Sequence, residues 1–446
     1  MDNILFKNIG GYESQKREAM KIVNFFKNYS KFKENGARIT RGLLLYGLPG
    51  TGKTTFAKAI VNEANAKLFE LVPKEVTDRE DTISSIRNAF KMARENSPSI
   101  ILIDEIDRII SCSNGFMSDE TDSEREALRC LISEIDNSLN SDVVVIATSN
   151  SSRNSIPAAL VRSGRIEKSF KMDPPGQKER ESILSLYLKR NDIFSDISSK
   201  DVALYTQGFT GASLENLVND VLIDCINKNS KAKFNDFLEP IESIKCAAIK
   251  NKSDKDNSDV IYHELGHFIT DYVLNDKIGM INTFVYGSSS GRYSMLEDED
   301  NTESDNQKLS GRSKTELLNN AVTAVAGLAA TKIYLNDEYL GAESDYSKLY
   351  SIYLLMASSG LLGAQIYSEY AFAAPSNFGE ESLITNSSEL KSHFSSFIND
   401  AKAKAESIIK ANDKIVRVLY AALKERQVLT HKEIEDLIKD IPVVRD

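Results

Sequence analysis

The stretch Gly47-Leu48-Pro49-Gly50-Thr51-Gly52-Lys53-Thr54 constrains this 446-residue chain more than any other. It follows the apolar run Leu43-Leu44-Leu45-Tyr46 and opens the run Thr54-Thr55-Phe56-Ala57-Lys58-Ala59-Ile60. That order reads as a buried strand, a glycine-rich loop and the start of a helix. Two further apolar runs, 99–103 and 143–147, end in Asp104-Glu105 and in Thr148-Ser149-Asn150. Short apolar strands alternating with helical segments predict an α/β unit whose parallel sheet is covered by helices on both faces.

The loop matches G-x-x-x-x-G-K-[ST] in full. Glycines let backbone N–H groups turn inward around phosphate oxygens, and the following helix N-terminus adds a positive dipole end. Gly47 to Gly52, with Thr55 in the first helical turn, therefore form the expected cradle for ATP. Lys53 is expected to reach the β and γ phosphates, and Thr54 to hold Mg²⁺ together with Asp104. Glu105 is expected to polarise the attacking water, and Asn150 to hydrogen-bond the γ-phosphate or that water. Like-charged carboxylates such as Asp104 and Glu105 resist ionising side by side unless a cation sits between them. Arg162 and Arg165 are candidates to supply charge to a neighbouring subunit's nucleotide, as an arginine finger does.

A second pattern lies far downstream. His263-Glu264-Leu265-Gly266-His267 is H-E-x-x-H, with Val260, Ile261 and Phe268 as an apolar flank. On a helix, residues four apart share a face, so both imidazoles can reach one Zn²⁺. Glu264 then stands beside the metal as the base that takes a proton from water. The chain has only four histidines, and His393 and His431 lie in polar helical surroundings, so a carboxylate is the better candidate for a third ligand.

Composition excludes more than it assigns. Lys and Arg number 55 against 65 Asp and Glu, a net charge of −10 that argues against a nucleic-acid partner. Four cysteines, none in a C-x-x-C pair, argue against a disulfide scaffold and suit a cytoplasm-like compartment. The N-terminus lacks a signal-peptide pattern, and the apolar stretch 352–374 carries a glutamate and three serines, so it reads as one or two core helices. No membrane association is encoded in these residues, and a soluble chain is expected.

Taken together, the two patterns resemble the AAA+ ATPases and, over nearly the whole chain, the FtsH family of ATP-dependent zinc metalloproteases. Ile9-Gly10-Gly11 and Gly208-Phe209-Thr210-Gly211-Ala212 resemble AAA+ segments before the loop and in the helical lid. The resemblance implies an α/β ATPase subdomain over 1–172, a helical lid over 173–248, a linker over 249–258 and a mainly helical zinc peptidase over 259–446. It implies Asp345, in Gly341-Ala342-Glu343-Ser344-Asp345, as the third zinc ligand, one Zn²⁺ per subunit, and a homohexameric ring degrading unfolded or misfolded polypeptides. Gly291-Arg292-Tyr293-Ser294-Met295 resembles the family's substrate-pairing edge strand. The segment 72–82, at the family's pore loop, has no aromatic residue and no glycine, and Asp136-Asn137-Ser138 replaces its Asp-Gly-Phe signalling stretch. These departures motivate an alternative, an AAA+ remodelling or assembly ATPase with weak or no proteolysis.

Overall fold

Five strands form a parallel sheet in a computed structural model of the chain: β1 (Gly42–Tyr46), β2 (Lys67–Leu71), β3 (Ser99–Ile103), β4 (Val143–Ser149) and β5 (Lys168–Lys171). The described residues are 4–38, 40–71, 79–110, 122–138, 141–246, 257–286, 289–294, 313–337, 343–373 and 388–445. The sheet order is β2-β3-β4-β1-β5. The three inner strands are the three apolar runs of the sequence, and β3 and β4 are buried along their whole length. The edge strands β2 and β5 mix lysines and a glutamate with apolar residues, because each has one side open.

Around this sheet lie α1 (Glu13–Lys27), α2 (Tyr29–Glu34), α3 (Lys53–Ala64), α4 (Arg79–Glu95), α5 (Asp107–Ile110) and α6 (Asp122–Asn137). One face of the sheet packs on α1 and α3 through Ile22, Phe56 and Ile60, and the other on α4 and α6 through Ile86, Phe90 and Leu131. A helical stretch follows, with α7 (Gln177–Leu188), α8 (Ser199–Tyr205) and α9 (Gly211–Lys228). Thr210 caps α9 by accepting the Ser213 N–H at 3.2 Å.

The chain divides into two compact units, Met1–Phe234 and Asn235–Asp446. The second contains α10 (Asn235–Cys246), α11 (Ser258–Asn275), α12 (Lys314–Leu335), α13 (Glu343–Ser358), α14 (Ala364–Ala373), α15 (Ser388–Ala411), α16 (Asp413–Arg426) and α17 (His431–Ile438). Its sheet, of order β7-β6-β8, is built from β6 (Met280–Tyr286), β7 (Ser289–Ser294) and β8 (Val428–Leu429). The apolar stretch 352–374 is thus the end of α13 and α14, and residues 247–256, with most of the expected linker, lie outside the described residues. Among the described residues no helix is long and apolar enough to cross a membrane.

Helix α11 carries Ile261, Leu265, Phe268, Ile269 and Val273 at helical spacing, and all five are buried. Each contributes roughly 1.5–3 kcal/mol of hydrophobic stabilisation. They pack on α12, whose Ala321, Val325, Ala326, Ala329 and Ala330 keep its surface low. Contact is close: a Cβ on Gly266 would lie 2.3 Å from the Ala326 carbonyl oxygen. Gly266→Ala is therefore expected to lower stability by about 1–3 kcal/mol through overpacking, read as a lower urea midpoint for the second unit.

Candidate metal centre and nucleotide loop

His263 and His267 lie one turn apart on α11, and Asp345 projects from the first turn of α13. The three ligand atoms form a near-equilateral triangle. His263 Nε2 is 3.0 Å and His267 Nε2 3.3 Å from Asp345 Oδ2, and the two imidazole nitrogens are 3.1 Å apart. Three donors bound to tetrahedral zinc at 2.0–2.1 Å would stand about 3.3 Å apart, so the triangle has the right size. Its chemistry fits as well. His267 Nδ1 is 2.7 Å from the Thr323 carbonyl oxygen, a contact that assigns its proton to Nδ1 and leaves Nε2 a lone pair. Asp345 Oδ2 is buried without a hydrogen-bond donor. A cluster of this composition and size suits a bound cation.

Buried Asp345 stays ionised: burial alone would raise its pKa, but the two imidazoles outweigh it and hold the carboxyl well below the usual range. Its other oxygen, Oδ1, is 3.4 Å from the Lys348 ammonium. Glu264 is also buried, and burial pushes its carboxyl up against the opposing pull of His267 and His263. The Glu264 Oε2 accepts the backbone N–H of Tyr293, on β7. Gly341, Ala342 and Met295 lie outside the described residues.

In the first unit, Gly47 and Gly52 adopt φ of 146° and 85°, angles that favour glycine and turn the loop around its centre. The Lys53 ammonium is buried and donates to the carbonyls of Gly47 and Leu48 at 2.9 and 2.8 Å. Burial lowers its pKa, against the raising effect of Asp107, Asp104 and Glu105. Leu48 is largely exposed, and the Thr51 hydroxyl closes the loop by donating to its carbonyl at 2.9 Å. Thr54 Oγ1 donates to Asp104 Oδ1 at 2.8 Å, so the hydroxyl and carboxylate expected to share Mg²⁺ are already in contact. Glu105 has φ of 54°, a strained angle of the kind that gathers at functional sites, and pairs with Arg108 at 2.6 Å. Asn150 follows β4, is exposed, and donates its backbone N–H to Asp107. Pro49, Gly50 and Thr55 lie within the loop and the first turn of α3.

The two arginines differ. Arg162 is exposed, whereas Arg165 is buried and grips Asp136 through two bonds of 2.7 and 2.6 Å. Its third nitrogen donates to the Ala159 carbonyl. Asp136, from the stretch in place of Asp-Gly-Phe, is thus bound within its own chain, while 72–78 lie outside the described residues.

Three contributors carry roles that the residues alone did not assign, although the likeness of 321–334 to a glycine- and alanine-rich family helix takes in Gly327. Thr148 donates to Asp104 Oδ1 at 2.7 Å and accepts the Glu105 N–H, so it orients both acids. Tyr12 donates to the Thr51 and Asp173 carbonyls and buttresses the loop from behind. Gly327 of α12 lies under the metal centre, where a Cβ would stand 2.5–2.6 Å from the His263 ring. Only a position directly after an apolar run hinted at Thr148, only the family likeness of its helix hinted at Gly327, and nothing local marked Tyr12. Gly327→Ala is expected to push the His263 ring out of the triangle and lower bound zinc at least tenfold, with helix content retained. Metal analysis beside circular dichroism checks this.

The sequence pattern of the ATPase family associated with various cellular activities (AAA) matches residues 43–174. Along nearly the whole chain the similarity is to proteins named ATP-dependent zinc metalloprotease FtsH. The one from Mycoplasma genitalium is 31% identical across 98% of this chain and 63% of its own length. FtsH 1 of a Thermoanaerobacter species is 31% identical across 97% of this chain and 72% of its own. FtsH 1 of Petrotoga mobilis is 29% identical across the full chain and 70% of its own. The chain therefore spans from 63% to 72% of the length of these relatives, less than two thirds of the first. With the AAA pattern over the nucleotide loop and the zinc triangle downstream, the remodelling alternative is not favoured, and the chain belongs to the FtsH family of ATP-dependent zinc metalloproteases.

Proposed function

We propose that this chain is a zinc endopeptidase that consumes ATP to process unfolded or misfolded polypeptides. The observation that carries the reading is the convergence of His263 Nε2, His267 Nε2 and Asp345 Oδ2 at 3.0–3.3 Å beside buried Glu264. Zinc at these three atoms, when bound, supplies a Lewis acid for the scissile carbonyl and an acidified water. Glu264 takes the proton from that water and passes it to the departing amine. Lys348 and the Thr323 carbonyl orient the ligands without joining them. β7 offers an outer strand of the small sheet for pairing with an extended peptide, a sequence-tolerant mode of binding.

In the first unit the loop 47–54 and Thr55 cradle the phosphates of ATP, and Thr54 and Asp104 hold Mg²⁺ when it is bound. Glu105 and Asn150 align the water. We further propose a homohexameric ring in which exposed Arg162 reaches a neighbour's nucleotide. Arg165, paired with Asp136, braces the segment that carries it. The residue types also suit a cytoplasm-like compartment, or that side of a membrane.

Zinc chelation or Glu264→Gln is expected to abolish cleavage of casein and of a short fluorogenic peptide. Glu264→Gln should keep its zinc and its ATPase activity. Cleavage undiminished in Glu264→Gln would sink the peptidase reading. Lys53→Ala is expected to lose ATP hydrolysis and casein degradation by at least a hundredfold while retaining cleavage of the short peptide. Arg162→Ala should lower ATPase turnover at least tenfold with an unchanged melting temperature, whereas Arg165→Ala should also lower that temperature by several degrees. Arg165 is itself buried and also holds the Ala159 carbonyl, so truncating it removes packing and hydrogen bonds as well as a charge. Steady-state ATPase assays and calorimetry separate the two arginines.

A further inference from the structure

Asp271 is a nearly fully buried carboxylate in the peptidase unit that the zinc chemistry does not use. It lies seven residues after Glu264 on α11, so both acids point from the same helix face. One residue of β7 reaches both. Tyr293 donates its backbone N–H to Glu264 Oε2 and its hydroxyl to Asp271 Oδ2 at 2.9 Å. Between these contacts its ring packs edge-on against Phe268, with centroids 5.8 Å apart. Asp271 is held from its other side, where Oδ1 accepts the Asn275 amide at 2.6 Å, and Asn275 in turn accepts from Asn319 of α12. Burial, and then the Asp271 charge, keep the Tyr293 phenol far above its ordinary pKa, so it remains a donor at working pH.

Packing alone does not account for this arrangement. A phenylalanine paired with an apolar residue would fill the same space without burying a charge, and such replacements are commonly neutral or stabilising. What the polar pair adds is direction. Tyr293 is paired with Ile281 of β6, and its amide meets the side chain of α11. The strand can present that amide at one height only if its position along the helix is fixed, and the hydroxyl–carboxylate bond two turns away fixes it.

We propose that Tyr293 and Asp271 are a positioning pair for the peptidase reaction: their bond clamps β7 onto α11 so that the Tyr293 amide holds the Glu264 carboxylate in its working orientation. The inference rests on the peptidase role proposed above for Glu264. It makes the strand that borders the peptide site part of the apparatus that aims the base. Misplacing a reacting group by about an ångström costs on the order of a hundredfold in rate, so a loosened strand should be visible in turnover.

The test uses the full zinc-loaded chain and a short fluorogenic peptide, with Tyr293→Phe, Asp271→Leu and Asp271→Asn. Tyr293→Phe and Asp271→Leu are expected to lower kcat about tenfold or more, with KM within about twofold and zinc content and ATPase activity unchanged. Asp271→Asn, which can still accept the phenol, should recover most of the loss, and the double variant Tyr293→Phe with Asp271→Leu should be no worse than Asp271→Leu alone. An independent readout is amide hydrogen exchange of the zinc-free chain. Residues 289–294 should exchange about tenfold faster in Tyr293→Phe while α12 is unchanged. The inference is overturned if kcat stays at the wild-type value, if exchange over 289–294 does not rise, or if kcat, zinc and melting temperature fall together. A Glu264→Gln variant as active as wild type would remove the peptidase reading and this inference with it. An inactive Glu264→Gln beside a fully active Tyr293→Phe removes this inference alone.

Discussion

The metal centre depends on how closely α12 can approach α11. Gly266 turns toward the Ala326 carbonyl and Ala330, and Gly327 turns toward the His263 ring, so the crossing carries nothing larger than a methyl at these points. Any side chain there would push the helix axes apart and move His263 relative to Asp345. The same crossing places the Thr323 carbonyl against His267 Nδ1, which sets the tautomer. Hydrophobic burial along α11 supplies the stability, but the two glycines decide the distance at which it is gained. A helix pair with the same apolar area and ordinary spacing would be as stable and would not present the triangle.

The two sites are assembled in different ways. The nucleotide loop is a local object: Gly47 to Thr54 are consecutive, their backbone makes the cradle, and only Asp104, Thr148 and their neighbours come from elsewhere. The proposed metal centre draws on α11 for His263, His267 and Glu264, on α13 for Asp345 and on β7 for the amide that meets Glu264. Such a site exists only when its unit is folded. Zinc binding is therefore coupled to folding of the second unit, and its free energy adds to that unit's stability.

This difference explains what could be read from residues alone. The three inner strands were legible because burial on both faces forces continuous apolar runs, whereas β2 and β5 were not, since one open side permits Lys67, Glu70, Lys168 and Lys171. The loop and the histidine pair were legible because their chemistry is compressed into eight and five residues. Asp345 was not derivable from spacing: it is 78 positions beyond His267, and only family resemblance pointed to it. The roles of Thr148, Gly327 and Asp271 are hard to read locally because each matters through a partner distant in sequence. Arg165 shows a different limit: its local pattern gave no sign that it is buried and paired with a half-exposed Asp136.

The loop is also tied mechanically to the helical stretch that follows the sheet. The Gly50 carbonyl accepts the Ala212 N–H at 3.1 Å, and Thr210, the cap of α9, stands against Gly50 where a Cβ would lie 2.8 Å from its hydroxyl. On the other side the Tyr12 hydroxyl bridges the Thr51 and Asp173 carbonyls, and the Tyr12 N–H donates to Glu179 of α7 at 2.8 Å. A loop held at both Gly50 and Thr51 cannot change shape by itself. A rearrangement of its backbone around phosphate must break the Ala212 bond or carry the N-terminus of α9 with it. Gly50 and Ala212 are both exposed, so water can take over the freed carbonyl and breaking the bond costs only the net worth of one hydrogen bond, about 0.5–1.5 kcal/mol. Moving α9 with the loop keeps the bond, so the cradle and the helical stretch are coupled by a modest energy. The attachments at Gly50 and Thr51 thus link a change confined to a few loop residues to the elements packed around the loop.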